Sequence, residues 1–349
     1  MSRDKYFVSV KIGKMNRLPV AYSVVRSESD FTQITKNQSA HTMSNQGVVV
    51  QLFLASLTAT GGKMSKQRTV FTQKVLERWL KEGRGSGSGA FYKPWITIHD
   101  FASTGRCHRI ANCHHGRLHH LMSDLEEIVF YLFSWSESVI DIREQFPLLP
   151  LDETLAIAEE IGLRHQVDTR SNYPIVATTD FLLKISDKHG EKYLARTVKP
   201  AEQLKDKRIL EKFEIERRYW AARNIDWGVI TDENLPSQLY RNIKLVYGYF
   251  PLKALRPLTI QVIHEVIQVL TDIVLKGETA LRDITKLVDE QFGFVKGMTM
   301  NIVRHLIARR WWKIDMNLPI GMRKPMILQD YSIPDDVSIH YREGGFHHE

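Results

Sequence analysis

The sequence predicts an α/β protein in which a mixed sheet flanked by helices is followed by a second, mainly helical domain. Three observations point there. Two β-rich runs, one ending near Ile185 and one near Val198, flank an Asp-Lys-His-Gly turn of the kind that closes a hairpin. Amphipathic stretches begin at Ser123 and at about Glu202 on either side of that hairpin. Beyond Leu255 the chain turns to long amphipathic helices. The hairpin would set Asp180 on one strand and Lys199 on its neighbour, with Glu126 on a preceding helix. Carboxylate oxygens suit magnesium at a phosphodiester, and an ammonium beside them stabilises charge or helps generate hydroxide. The trio thus has the parts of a metal site, although an Asp and a Lys near a hairpin are also common on a solvated edge.

With 349 residues, 43% of them hydrophobic, the chain can bury a full core, and two domains are the default. Its net charge of +8 and pI near 9.3 favour a polyanionic partner. Two cysteines, Cys107 and Cys113, argue against a disulfide-built secreted protein and for a reducing cytoplasm. No apolar run approaches the ~20 residues that span a bilayer, so no membrane partner is expected.

Residues 1–63 carry strand-like fragments around a polar run and no chemical motif, so they are expected to be an extension of unknown role. Gly61-Gly62-Lys63-Met64 can be encoded by a bacterial ribosome-binding sequence before a start codon, which suggests a misassigned start. From Thr72 to Lys81, Val75, Leu76, Trp79 and Leu80 follow helical spacing, and Gly83 ends the helix. The GRGSGSG that follows lacks the Lys-Ser/Thr pair of a phosphate loop; a flexible connector is the preferred reading, with backbone contact to DNA the alternative. Between Met64 and His120 ten Lys and Arg stand against three Asp and Glu, which places much of the DNA-facing charge there. Cys107, His108, Cys113, His114, His115, His119 and His120 supply zinc ligand types, but Cys-x5-Cys matches no standard zinc spacing. His119 and His120 are expected instead to shape the entrance to the metal site or to touch phosphate.

Ser123 starts a helix with Leu125, Ile128, Val129 and Leu132 on one face. Ser-x-x-Glu is also a capping box, so Glu126 could simply tie down the helix start. Asp141, Arg143 and Glu144 read as a structural ion-pair set rather than catalytic groups. Leu151 to Gly162 is helical, and a polar loop leads into the first strand of the hairpin. The helix from about Glu202 to Arg223 carries Ile209, Phe213 and Trp220 on one side, and Glu216 falls at the edge of that side. Glu216 is either a support for the metal site or an ion-pair partner of Arg217 or Arg218. DWGVITDENLP is a further strand. Three helices follow, ending in MTMNIVRHLIARR, then the strand WWKIDMN. Arg304, Arg309, Arg310 and Lys313 form a basic stripe beside Trp311 and Trp312, open to phosphate or to a protein partner. The tail from Gln329 looks unpacked.

RCHRIANCHHGRLHHLMSDLE (106–126), DIREQFPLLP (141–150), TVKP (197–200) and LEKFEIERRYW (210–220) together resemble the TnsA endonuclease subunits of heteromeric cut-and-paste transposases, over about residues 64 to 320. The resemblance implies a restriction-endonuclease-like catalytic domain at 64–240, a winged-helix-like domain at 241–328 and a tail at 329–349. It implies that Glu126, the Glu of SDLE, is a metal ligand with Asp180, that Lys199 is catalytic, and that no zinc is bound. Two positions before that lysine these nucleases carry Glu or Gln; here stands Thr197, so the metal would be held by its hydroxyl, by the Val198 carbonyl, by water or less tightly. The implied activity is Mg²⁺-dependent nicking, with Mn²⁺ substituting, at the 5′ ends of a transposon in a bacterial cytoplasm. The implied partners are transposon-end DNA, a TnsB-like transposase subunit and a TnsC-like ATPase. The rival expectation is a DNA-binding scaffold whose metal site has decayed at Thr197.

Overall fold

In the computed structural model, described over residues 69–100 and 106–334 and at the Val24–Val25 backbone, the elements run in chain order as follows. They begin with β1 (Val24–Val25), α1 (Gln73–Lys81), β2 (His108–Ala111), β3 (Leu118–Leu121), α2 (Asp124–Trp135), β4 (Val139–Pro147) and α3 (Leu151–Glu160). Next come β5 (Thr178–Asp187), β6 (Gly190–Val198), α4 (Lys207–Ala221), β7 (Asp226–Ile230) and α5 (Ser237–Tyr247). The chain continues with α6 (Ile260–Lys276), α7 (Leu281–Gln291), α8 (Met298–Ala308), β8 (Trp312–Lys313) and β9 (Asp330–Tyr331). It divides into two compact units: one reaches to His108 and takes His120–Glu127 and Ser136–Leu235, and the other takes Arg109–His119, Ile128–Trp135 and Pro236 onward. Apart from Val24–Val25, the expected extension at 1–63 lies outside the described residues, and so does the reading of its start.

The first unit is built on β7-β6-β5-β4, with β1 adding antiparallel to the free edge of β7. β5 and β6 form the expected antiparallel hairpin, closed at the Asp187–Gly190 pair. Gly190 takes φ +106°, which a side chain would resist, and Asp187 Oδ1 accepts the His189 N–H at 2.8 Å. β4 is antiparallel to β5, whereas β7 is parallel to β6, so the β6–β7 connection must cross over and does so through α4. That helix covers the sheet: Phe213, Tyr219 and Trp220 pack on Leu182, Ala195 and Trp227. Full burial of each large apolar side chain contributes roughly 1.5–3 kcal/mol. The helix expected from Glu202 begins only at Lys207. Ala201–Lys205 is a 3-10 turn, and Asp206 caps α4 by accepting the Arg208 N–H at 2.8 Å.

The glycine-rich GRGSGSG is a built turn, not a flexible connector. Gly85 donates its N–H to the Lys93 carbonyl at 2.6 Å, and Lys93 donates back to the Ser86 carbonyl at 3.0 Å. Gly85 holds φ +76°, and a Cβ there would fall 2.3 Å from Pro147 Cγ; at Gly87 it would meet the Phe91 carbonyl oxygen at 2.4 Å. Gly85 therefore lets the turn press against the end of β4, and Gly87 lets it fold back on the Phe91 backbone. Gly85→Ala is expected to destabilise this unit by about 2–3 kcal/mol. Its thermal midpoint should fall by roughly 5–8 °C, and an unchanged midpoint would count against this packing.

The second unit is mainly helical. Asp289 on α7 accepts from the Gly297 N–H at 2.6 Å and from the Thr299 N–H and hydroxyl at 2.8 and 2.6 Å, which fixes the start of α8 against α7. The three long helices stand where their apolar periodicity put them; α5 is additional to them, although Leu239, Ile243, Val246 and Tyr247 carry the same helical spacing. Trp312 is buried and donates from Nε1 to Thr271 Oγ1 on α6 at 3.2 Å. Asp330–Tyr331, in the stretch read as an unpacked tail, pairs antiparallel with Trp312–Lys313, and Lys313 Nζ lies 2.6 Å from Asp330 Oδ2.

Candidate active site

Glu126 sits in the first turn of α2. Its N–H donates to Ser123 Oγ at 3.1 Å, while its carboxylate accepts from Ser123 Oγ at 3.0 Å and from the Met122 N–H at 2.9 Å. The capping box therefore forms, and it aims the carboxylate at the site instead of excluding it from one. Gln145 Nε2 donates to the same Glu126 Oε2 at 3.2 Å and also hydrogen-bonds Asp180. The Thr178 hydroxyl steadies that amide by donating to Gln145 Oε1 at 3.3 Å. The pairs Glu144–Phe181 and Phe146–Thr179 bracket Gln145 and Asp180, and the Phe181–Arg196 pair extends the register to Thr197. Gln145, Asp180 and Thr197 therefore form one row across β4, β5 and β6.

Asp180 Oδ2 accepts the Val198 N–H at 2.7 Å, so Val198 acts here through its amide. Burial raises the Asp180 carboxyl above its ordinary range, while that amide and the Lys199 charge pull it down. Burial and the Asp180 charge push Glu126 up to about 8, again opposed by its hydrogen bonds and by Lys199. One ammonium thus acts on two carboxylates that repel each other. Such a pair sheds its repulsion by taking up a proton or a cation.

Thr197 and Glu216 belong together. The Thr197 and Thr179 hydroxyls donate to Glu216 Oε1 at 2.5 and 2.6 Å, and Trp220 Nε1 donates to Thr179 Oγ1 at 2.7 Å. Burial pushes Glu216 up to about 7, against those hydroxyls, and Asp180 adds to the rise. The alternative of an ion pair with Arg217 or Arg218 is not what forms, because both arginines bind Glu214, at 2.8 Å each. Of the expected ion-pair set, Arg143 and Asp141 pair at 2.8 Å, but Glu144 instead accepts the His120 N–H at 3.2 Å.

The other expected contact residues are placed differently. His119 has no exposed surface: it packs on Phe130, 4.6 Å between rings, and hydrogen-bonds Arg117, so it cannot reach phosphate. His120 is partly buried, and its Nδ1 accepts the Ile98 N–H at 3.4 Å. Arg304 donates to the Tyr249 hydroxyl at 2.9 Å, and Arg309 lies 4.5 Å over the Phe250 ring. Arg310 donates to the Trp135 carbonyl and Lys313 pairs with Asp330. The basic stripe is thus engaged within its own unit.

The cysteine and histidine run gathers no thiolate site among the described residues. Burial pushes the Cys113 thiol up to about 12, and Cys107 is free. What could hold a metal there is His108, Asp124 and Glu127, with His108 Nε2 2.6 Å from Asp124 and Nδ1 3.5 Å from Glu127. Asp124 Oδ1 also accepts from Arg106 at 2.9 Å, so that guanidinium compensates part of its charge.

Two family descriptions match the chain: "TnsA-like endonuclease N terminal" over residues 136–232 and "TnsA endonuclease C terminal" over residues 234–316. The Transposon Tn7 transposition protein TnsA of Escherichia coli is 38% identical over 253 residues, covering 72% of this chain and 90% of that protein. The chain belongs to the TnsA endonuclease family. The N-terminal match takes in Asp180, Thr197, Lys199 and Glu216, while Glu126 lies upstream of it. Sequence reasoning missed Gln145 in this endonuclease: it lies in a strand read as scaffold, and its φ of +49° leaves no mark in the residue type. Among the described residues no helix is long and apolar enough to cross a membrane.

Proposed function

We propose that this chain is a divalent-metal-dependent DNA endonuclease that hydrolyses phosphodiester bonds at the 5′ ends of a transposon. It would work in a bacterial cytoplasm with a TnsB-like subunit that cuts the 3′ ends and a TnsC-like ATPase. The observation that carries this reading is the pair of repelling carboxylates, Glu126 and Asp180, under the charge of Lys199. The donor set fits Mg²⁺, or Mn²⁺ in its place: both groups are hard oxygen ligands, and their mutual repulsion is what a dication relieves. Bound there, the metal would supply Lewis-acid polarisation of the phosphate and lower the pKa of water. Glu126 and Asp180 hold the site's negative charge, Lys199 stabilises charge on the phosphate or helps deprotonate the attacking water, and the Val198 amide fixes the Asp180 rotamer. Glu216 and its two threonines orient the Asp180 row from behind.

The mixed sheet with its α4 crossover supports a restriction-endonuclease-like catalytic domain, 64–240. Helices α7 and α8 followed by the β8–β9 hairpin support a winged-helix-like domain from 241. The scaffold alternative draws on Thr197, whose hydroxyl is committed to Glu216. The deciding experiment is transposon-end cleavage with both partners and Mg²⁺, wild type against Asp180→Ala. Loss of the 5′ cuts alone supports the nuclease. Wild-type protein that assembles and permits 3′ cutting without any 5′ cut supports the scaffold.

A further inference from the structure

The nuclease reading uses one ammonium, yet a second stands beside it. Lys212 and Glu216 are four residues apart on α4 and so share a helix face. Glu216 takes the hydroxyl of Thr197, two residues before Lys199, which brings that face to the catalytic end of β6. Several other cations in this unit are compensated: Lys184 pairs with Glu191 at 2.5 Å, Arg196 with Asp226 at 2.6 Å and Arg223 with Glu153 at 2.5 Å. Neither Lys199 nor Lys212 has a side-chain hydrogen bond or ion pair with a described residue. Arg208, one turn earlier, adds a third cation, its own donors spent on the Arg164 and His165 carbonyls and on Glu211.

An exposed lysine commonly needs no explanation. This one is crowded by its own kind. Partial burial, Arg208 and Lys199 together hold Lys212 below the ordinary lysine range, with Asp206 alone opposing. Keeping like charges together without a counterion costs stability in the free protein, and a polyanion is the ligand that removes the cost. Two ammoniums that feel each other's charge, one just past the end of β6 and one on α4, suit a ligand that carries successive phosphates, such as a DNA strand.

We propose that Lys212 is a positioning residue that binds the DNA backbone phosphate next to the scissile one, while Lys199 attends the scissile phosphate itself. It rests on the nuclease reading above. Lys212 takes no part in bond breaking. It fixes which phosphate of the strand lies over Glu126 and Asp180.

The test is binding of the full-length protein to a fluorescent transposon-end duplex, with Ca²⁺ replacing Mg²⁺ so that the DNA stays uncut. Affinity is measured from about 50 to 200 mM salt for wild type, Lys212→Gln, Lys212→Arg and, as control, Lys207→Gln. A lost phosphate contact should make the slope of log affinity against log salt shallower by about 0.9 in Lys212→Gln, with Lys212→Arg close to wild type. Lys207, whose side chain is 91% exposed, should change the slope less. The Lys212→Gln melting temperature should equal or exceed that of wild type, because a repulsion has been removed. An unchanged slope in Lys212→Gln, or an equal loss in Lys207→Gln, overturns the assignment while leaving the nuclease intact. Failure of the wild type to bind DNA at low salt would also overturn the assignment, while the nuclease reading would still be decided by cleavage with both partners.

Discussion

Asp180→Ala is expected to abolish cleavage at the 5′ ends, by roughly a thousandfold or more, with little loss of fold. The chemistry and the packing point in opposite directions at this position. For the reaction, Asp180 is one of two carboxylates that can hold a cation, and Thr197 cannot take its place, because its hydroxyl is bound to Glu216. For stability, Asp180 is a half-buried charge repelled by Glu126, so its removal relieves strain while leaving the Val198 N–H unpaired. An orphaned amide costs about 1–3 kcal/mol, partly repaid by that relief. Asp180→Asn separates the two roles, since the amide oxygen still accepts from Val198 but the charge is gone. It should melt near wild type, lose the Mg²⁺-induced rise in melting temperature and stay inactive. An active Asp180→Asn would show that geometry, not charge, is what the site needs from this residue.

Much of this site was legible because its parts are local. The hairpin follows from two β-rich runs around Asp-Lys-His-Gly, and it carries Asp180 to the end of β6 and Lys199. Ser123-x-x-Glu126 reads as a cap from the sequence alone; the structure makes the cap the device that aims the carboxylate. What failed to show depends on distant chain. Gly85 looks like part of a flexible linker because nothing near it announces that Pro147 will arrive against its backbone. His119 reads from the sequence as a group that shapes the metal-site entrance or touches phosphate, yet Phe130 and Arg117 enclose it. Glu216 was placed at the edge of a buried face, and only the tertiary row of Thr179 and Thr197 decides between hydroxyl partners and the arginines beside it. Gln145 is the extreme case, a role created by one left-handed backbone angle and a register across three strands.

Glu126→Gln carries the second large effect, and its sign depends on pH. In the folded protein without metal the Glu126 carboxyl is pushed up to about 8, by burial first and then by Asp180, from an ordinary value near 4.5. A carboxyl raised in the fold contributes stability that is fully present below its unfolded pKa and is lost as pH rises through its folded one. Metal-free wild-type protein should therefore lose stability between about pH 4.5 and 8, by several kcal/mol at the upper end. Glu216, pushed up to about 7, adds to the same slope. Glu126→Gln removes the larger contribution, so with chelator present its melting temperature should fall less over that range and exceed wild type at pH 8. Adding Mg²⁺ should reverse the order: the wild type gains at pH 8, where the proton has left and two carboxylates face each other, while the glutamine variant gains little. Cleavage should be lost in the variant at every pH. Parallel melting curves for the two proteins across this range, with and without Mg²⁺, would mean that Glu126 is only a helix cap, and the site would then have to be rebuilt on Asp180 and Glu216.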